Sequence, residues 1–445
     1  MPVEFIYLIL LVAIIVYLIT VPRRPVYEAT FISFVIVLFA SMRWADIGNI
    51  IAGSFTQRML YTIFAFMAFT IVMKETRIMD SCVAIIVSVF GRIRGGTAYA
   101  DVIANTFLGA LSGGGPQNVL LIGSVTLPAM KRSGLPDKLA VNVSAFDGLM
   151  GNYIPPSPTY AAAFGIYVAF CESSGIAAMS LTHIWGAMWA IAAIMIVMRM
   201  ATIFVSCRVN RVKPVPREDL PRFREAIASG WKALFMPVII ALPFVLDMTC
   251  SSFIAGRIGS EAADMLTQSI LLFLPGLAAI LAYAFGHRRP SPKALAASFA
   301  EGANGIVMIV AMVLLSVMIG NTISVGEIGA YLGGLDMPFV LIVLFIPLLT
   351  TFLSMIISSA AVTMFFGGMI LSVTAAGGAD PFIVTAALPL ICGGLSGTIP
   401  PSSPCLFAGA NILKCGMRGV NAIALRWTAE HMIAAEVIFL VACLI

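Results

Sequence analysis

Charge is scarce in this sequence. Lys, Arg, Asp and Glu make up 11% of its 445 residues, less than half of the roughly 25% found in an average soluble chain. A water-soluble protein of this length would form two or three domains, each needing a polar surface. Here 60% of the residues are hydrophobic and the mean hydropathy is +1.02, which excludes a soluble enzyme, a nucleic-acid binder and a disordered scaffold. Histidine is almost absent: His183, His287 and His431 have no partner at metal-ligand spacing, so a metal enzyme has little support. The eight cysteines form no CxxC pair and lie mostly in or beside apolar runs, where they read as small buried hydrophobes. The start of the chain lacks the basic n-region and small-residue cleavage site of a secretory signal, so the first apolar run is expected to stay as a helix. What remains is an all-α, polytopic membrane protein.

A membrane crossing needs about 20 apolar residues, because only a helix closes all of its own backbone hydrogen bonds in lipid. Residues 4–21, 26–42, 59–79, 182–206, 231–247, 268–286, 295–319 and 425–445 fit this requirement. Four other apolar stretches do not. Residues 97–131 and 338–378 are long but have Gly/Ser/Ala-rich centres, and they read as re-entrant hairpins. Residues 137–170 and 382–413 are interrupted by Pro-Pro-Ser and read as broken helices, since Pro155-Pro156 and Pro400-Pro401 each remove two adjacent backbone donors. The net charge of +5 reflects topology. Arg23/Arg24, Lys74/Arg77, Arg92/Arg94, Lys131/Arg132, the run 208–224, Arg288/Arg289/Lys293 and Lys414/Arg418 can all be cytoplasmic if the N-terminus is periplasmic, with Arg43, Arg58 and Arg257 as the minority outside. The basic segment 208–224 reads as a cytoplasmic linker, with a lipid-contacting amphipathic arm as the alternative.

Ile154-Pro155-Pro156-Ser157 and Ile399-Pro400-Pro401-Ser402 lie 245 residues apart (402 − 157). At that offset residues 107–157 align with 352–402 without gaps, and Phe107/Phe352, Leu108/Leu353, Gly123/Gly368, Pro136/Pro381 and Gly148/Gly393 are identical besides the tetrad. So few identities are modest in so biased a composition; the order of elements carries more weight. Three helices, a hairpin, a broken helix and one more helix occur twice, in units 1–207 and 231–445 around a linker 208–230. Each unit crosses the membrane an odd number of times, so the second is expected to be inverted. Inverted repeats with broken helices are characteristic of secondary transporters that bind substrate and coupling ions near the midplane.

Unwound backbone offers carbonyl oxygens to a cation, and half-helix N-termini offer N–H groups to an anion. The oxygen shell expected for a hard cation such as Na⁺ draws on Ser112, Gly113, Gly114, Asn118, Pro155, Pro156 and Ser157 in the first unit. In the second it draws on Ser358, Ser359, Thr363, Thr398, Pro400, Pro401 and Ser402. Gly115, Gln117, Asp147, Asn152, Ser402 and Ser403 are the candidates for an anionic substrate. Small residues also serve tight helix packing in membranes; duplication of both tip and break favours the ligand reading. The glycines beside Ser112 do not make a phosphate loop, because no Gly-Lys-Ser/Thr follows. A carboxylate at membrane depth is kept only when it is paired or lines a cavity. Asp147 has no basic neighbour on its own helix and reads as lining the site, while Asp101 reads as a cap of the hairpin helix. Glu301, Glu430 and Glu436 lie in apolar runs without an assignable role.

The segment from Gly123-Ser124-Val125-Thr126-Leu127-Pro128 through Lys131-Arg132 and Gly134, followed by Ile154-Pro155-Pro156-Ser157, resembles the first-half signature of the large membrane subunit of TRAP (tripartite ATP-independent periplasmic) transporters. Gly378-Ala379-Asp380-Pro381, the glycines at 393, 394 and 397, Ile399-Pro400-Pro401-Ser402 and Leu406-Phe407 resemble its second-half signature. The tip Gly113-Gly114-Gly115-Pro116-Gln117-Asn118 departs from the family's more usual Ser/Ala-rich tip, and Ile399 stands where the family usually has Thr. The resemblance implies an ion-transporter fold working as an elevator in the bacterial inner membrane. It further implies Na⁺-coupled uptake of a small organic anion of the carboxylate or sulfonate class, a small four-helix membrane partner and a periplasmic substrate-binding protein. The rival expectation is a stand-alone carboxylate permease of the same superfold, resembling citrate, dicarboxylate or gluconate carriers. An intramembrane enzyme would need a dyad or metal constellation that His431 beside Glu430 does not supply.

Overall fold

The computed structural model describes every residue except 1, 23, 57, 110–114, 156, 180, 217, 219, 324–326, 328–330, 332–337, 355–358, 396 and 400–402. All regular structure among the described residues is helical. In chain order the helices are α1 (Val3–Thr20), α2 (Val26–Ala40), α3 (Ile47–Phe55), α4 (Arg58–Thr76), α5 (Ile78–Phe90), α6 (Gly96–Ala104), α7 (Gly115–Arg132), α8 (Asp137–Leu149), α9 (Pro158–Ser174) and α10 (Leu181–Val209). There follow α11 (Phe223–Gly230), α12 (Phe235–Ile258), α13 (Ser260–Phe285), α14 (Pro292–Thr322), α15 (Phe339–Ser354), α16 (Ser359–Ala376), α17 (Pro381–Gly393), α18 (Pro404–Leu413) and α19 (Met417–Leu444).

Proline marks where these helices begin. Pro2, Pro25 and Pro136 stand immediately before α1, α2 and α8, and Pro158, Pro292, Pro381 and Pro404 are first residues, where the missing N–H costs nothing. Side chains complete three of these starts. Ser291 Oγ accepts from the Ala294 N–H at 3.2 Å, Asp380 Oδ1 from the Phe382 N–H at 2.8 Å, and Ser157 Oγ from the Tyr160 N–H at 3.2 Å.

Two single helices, His183–Val209 and Met417–Leu444, are long and apolar enough to cross a membrane on their described residues. Tyr27–Ala40 and Trp44–Phe55 pass together as a pair bent by 119°. That bend departs from the expected simple span 26–42: Met42 takes φ 57°, and a 3₁₀ turn at Trp44–Asp46 leads into α3. The bend has a use. It points Arg43 at the C-terminus of α14, where its guanidinium donates to the carbonyls of Asn321 (2.8 Å) and Thr322 (3.0 Å), which no helical N–H can reach. The expected span 59–79 likewise divides at Arg77, with φ 55°, into α4 and α5. Helices α12, α13 and α14 run 24, 26 and 31 residues, well beyond the sequence estimates for them. The segment expected as a linker ends in α11, which packs on α5 and seats Gly230 against Ser81.

The apolar interior divides into two clusters. One runs through α1 to α5, α9 and α12 to α17, with Phe34, Phe69 and Tyr160 fully buried. The other joins α6 to α8, α10, α18 and α19 around Phe146, Leu149 and Trp427. Six of the eight cysteines are buried and none is in a disulfide; Cys250 and Cys415 are partly accessible. In the folded chain in detergent, a soluble maleimide is therefore expected to label Cys250 and Cys415 and to reach the others only after denaturation, read by peptide mass spectrometry. Labelling of Cys405 or Cys392 in the folded state would contradict this packing.

Candidate functional site

The stretches expected as a hairpin and a broken helix occur twice as helical segments: α6, α7, α8, α9 and then α15, α16, α17, α18. In the first set, α6 passes into a π turn at Asn105–Gly109 before residues 110–114, a deviation frequent at functional sites. Packing is exchanged between the sets. Helix α7 lies against α8 of its own set and α18 of the other, and α16 lies against α17 of its own and α9 of the other. Helix α6 contacts α10 as α15 contacts α19, and α19 packs on α8 as α10 packs on α17. Each contact has a counterpart with the sets interchanged.

Breaking a helix leaves its last carbonyls without N–H partners. At the C-terminus of α8, the Asn118 Nδ2 amide donates to the Gly148 carbonyl at 3.0 Å. At the C-terminus of α17, Asn152 Nδ2 donates to the Gly393 carbonyl at 3.0 Å, and Thr350 Oγ1 to the Ile391 carbonyl at 2.8 Å. Gly148 and Gly393 are the pair related by the 245-residue offset. Asn152 thus ties the break of the first set to the helix end of the second. Close approach requires glycine here. A Cβ on Gly151 would stand 2.3 Å from the Gly109 carbonyl oxygen, and Cβ atoms on Gly115 and Gly397 would stand 2.7 and 2.5 Å from the Cys405 sulfur. One thiol therefore fills the gap between the start of α7 and the second break.

The remaining sequence candidates fall as follows. Ser112, Gly113, Gly114, Pro156, Ser358, Pro400, Pro401 and Ser402 lie outside the described residues. Gln117 is exposed on α7, and Pro155 is buried in the first break. The Ser157 hydroxyl donates to the Asn152 carbonyl at 3.1 Å while capping α9, so it fixes both sides of the break. Ser359 opens α16 half-buried, its Cβ pressed near Gly393, and its carbonyl accepts from Thr363 Oγ1 at 2.9 Å. Thr398 is buried and turns back onto the Leu395 carbonyl. Ser403 is buried just before α18, and its hydroxyl has no hydrogen-bond partner among the described residues. Glu301 is exposed, Glu430 pairs with Arg426 at 3.2 Å, and Glu436 is half-buried.

Two acidic residues differ from their sequence readings. Asp101 is no cap: it lies inside α6, which Gly95 precedes, and its carboxylate meets Thr126 Oγ1, Ser144 Oγ (3.4 Å) and Asn105 Nδ2 (3.1 Å). Asp147 has no base on its own helix, but Arg199 reaches it from α10. Asp147 Oδ1 accepts from Arg199 Nε at 2.8 Å and Nη2 at 2.6 Å, with both side chains fully buried. Arg199 also donates to the Val143 carbonyl at 3.3 Å and lies over the rings of Trp427 (4.9 Å) and Phe146 (5.6 Å). Sequence reasoning missed Arg199, although an arginine between Met198 and Met200 in a long apolar run was the signal for it. The offset places Ile346 and Cys392 opposite Asp101 and Asp147, so the second set has no acid at either place.

Comparison with known proteins extends this picture. The family model described as "Tripartite ATP-independent periplasmic transporter, DctM component" matches residues 5–443. The C4-dicarboxylate TRAP transporter large permease protein DctM of Pseudomonas aeruginosa is 34% identical over 145 residues, 33% of this chain and 31% of that one. The isethionate TRAP transporter permease protein DctMQ of Oleidesulfovibrio alaskensis is 22% identical over 341 residues, 75% of this chain and 49% of that one. The chain thus spans about a third to a half of the length of these curated relatives. Among solved structures, the YdaH transporter of Alcanivorax borkumensis superposes with a TM-score of 0.63 at 16% identity, covering 90% of this chain and 88% of that one. MtrF of Neisseria gonorrhoeae gives 0.62 at 14% identity, covering 91% and 85%. At these identities the likeness concerns the fold. Since the family match runs through all but the two ends of a helical chain whose duplicated breaks meet at one place, the chain belongs to the family of DctM components, the large membrane permeases of tripartite ATP-independent periplasmic transporters.

Proposed function

We propose that this chain is the Na⁺-coupled uptake permease for a small organic anion, working in the bacterial inner membrane with a small membrane subunit and a periplasmic substrate-binding protein. The observation that carries the reading is the convergence of both breaks: Asn152 of the first set holds the helix end of the second, and Gly115 and Gly397 close on the same sulfur. A site assembled from two interchangeable sets suits alternating access about a fixed centre. In this reading the two units, 1–207 and 231–445, are inverted in the membrane and the N-terminus is periplasmic. The hairpins and broken helices move together as an elevator.

Na⁺ is cargo here. Its oxygen ligands come from Ser112, Gly113, Gly114, Asn118, Pro155, Pro156 and Ser157 on one side, and from Ser358, Ser359, Thr363, Thr398, Pro400, Pro401 and Ser402 on the other. The anion sits between the starts of α7 and α18, at Gly115, Gln117, Asn152, Ser402 and Ser403, where helix N-termini favour negative charge. The unpartnered, buried Ser403 hydroxyl supplies a donor there. Asp147 does not meet the anion, because Arg199 already engages its Oδ1. The carboxylate or sulfonate class of cargo follows the relatives' names, which specify C4-dicarboxylate and isethionate.

A gentle-detergent pull-down of the tagged chain from native membranes tests the assembly. A stoichiometric small membrane protein is the expected companion, and a folded chain recovered alone would replace this reading with a stand-alone carrier. In reconstituted uptake, Ser112→Ala and Ser359→Ala are each expected to weaken apparent Na⁺ affinity about tenfold, or about 1.4 kcal/mol, with expression unchanged. Unaltered sodium half-saturation in both variants would remove these residues from the ion sites. Asn152→Ala leaves the Gly393 carbonyl unpaired, so it is expected to lower stability by about 1–3 kcal/mol, seen as a lower melting temperature of the purified chain. An unchanged melting temperature would show that this tie holds nothing.

A further inference from the structure

The buried charges beside α8 have no part in the site just described. Among the described residues Asp101, Asp147 and Arg199 are the charged side chains with no exposure at all. Asp101, on α6, reaches α8 at Ser144, 3.4 Å from its Oδ1 and one helical turn before Asp147. Each packed element contributes an identifiable group. Thr126 comes from α7, Ser144 from α8, Arg199 from α10 and His431 from α19. His431 Nδ1 pairs with the Trp427 carbonyl at 2.8 Å, so that nitrogen is the donor; Nε2 has no partner among the described residues. Tyr153 is buried in the first break. Helix α18 contains no acidic or basic side chain, those of α7 sit in its last turn, and Asp80 of α5 is tied to Arg77 at 2.7 Å.

Two counts point the same way. With both carboxyls ionised and one guanidinium between them, the cluster would carry one uncompensated negative charge at membrane depth, which is costly. The hydrogens at Thr126 give the second count. Its hydroxyl is within reach of both the Ile122 carbonyl, at 3.1 Å, and Asp101 Oδ1. A single hydrogen cannot serve both acceptors, but a protonated Asp101 would supply the second.

We propose that Asp101 is a proton-binding site: one proton rests on its carboxyl and is donated to Thr126 Oγ1, while Arg199 holds Asp147 ionised. The proton makes the cluster neutral and bonds α6 to α7. Asp147 directly precedes Gly148, whose carbonyl Asn118 engages, so gain or loss of this proton is felt at the hairpin–break junction. Only that consequence, a proton accompanying Na⁺ during uptake, rests on the transport reading; the site itself does not.

Infrared spectroscopy of the full chain in liposomes tests the site without any transport. At neutral pH the wild type is expected to show the C=O stretch of a buried, protonated carboxylic acid, and the near-isosteric Asp101→Asn variant to lose it. Asp147→Asn leaves Arg199 facing Asp101 alone and is expected to lose the band as well, with folding of both variants checked by monodisperse gel filtration. Absence of the band in the wild type, or its persistence in Asp101→Asn, overturns the proposal. Removal of the wild-type band by saturating Na⁺ at constant pH also overturns it, by making the pair a sodium site. Since the readout needs no cargo, a chain that fails the Na⁺-uptake test can still show this band, and a sodium-coupled permease can lack it.

Discussion

The constraint on which this structure depends is that an interrupted helix inside a membrane must find donors for its last carbonyls. Water is absent there, and an unpaired backbone group costs several kcal/mol. The chain meets the requirement with side chains brought from elsewhere. Asn118 serves the end of α8, Asn152 and Thr350 serve the end of α17, and Arg43 serves the end of α14. Two of these bonds, from Asn152 and Arg43, join residues 241 and 278 positions apart, so satisfying the helix ends also fixes the tertiary arrangement. The breaks can exist only where the two sets meet.

Small residues make that meeting geometrically feasible. Gly109 and Gly151 touch through backbone, and Gly115 and Gly397 leave room for one sulfur between them. The thiol of Cys405 is a spacer whose volume sets how near α7 and the second break approach. Interiors packed this closely respond to volume changes of a single methylene, so the separation of the two sets is held to the dimension of one atom.

Much of the fold was legible because each signal was local. Long apolar runs gave helices, adjacent prolines gave breaks, and the 245-residue offset paired the elements. What stayed hidden was set by contacts between distant segments. The bend after α2 has no glycine or proline at Met42, and its reason, Arg43 reaching α14, lies 278 residues away. Asp147 looked unpaired because only its own helix could be inspected; Arg199 stands 52 residues on. Asp101 passed for a cap because it lies near a helix start, whereas its partners Thr126 and Ser144 come from two other helices. Of the candidate site, Asn118, Asn152 and Ser157 were legible as polar residues at a tip and a break. Their partners were not, because which carbonyl an amide reaches is decided by packing.

The interchange of contacts between the two sets is close to symmetric, yet the acids are not. Asp101 and Asp147 belong to the first set, and isoleucine and cysteine occupy the equivalent places in the second. An electric field distinguishes what packing does not. A charge carried through the whole transmembrane field is worth about 2.3 kcal/mol per 100 mV, and a cluster of two carboxyls and one guanidinium presents a net charge to that field whenever it is fully ionised. The two sets can therefore share one packing design while the membrane voltage acts on the cluster of the first set when it is ionised and finds no charge at the matching places of the second.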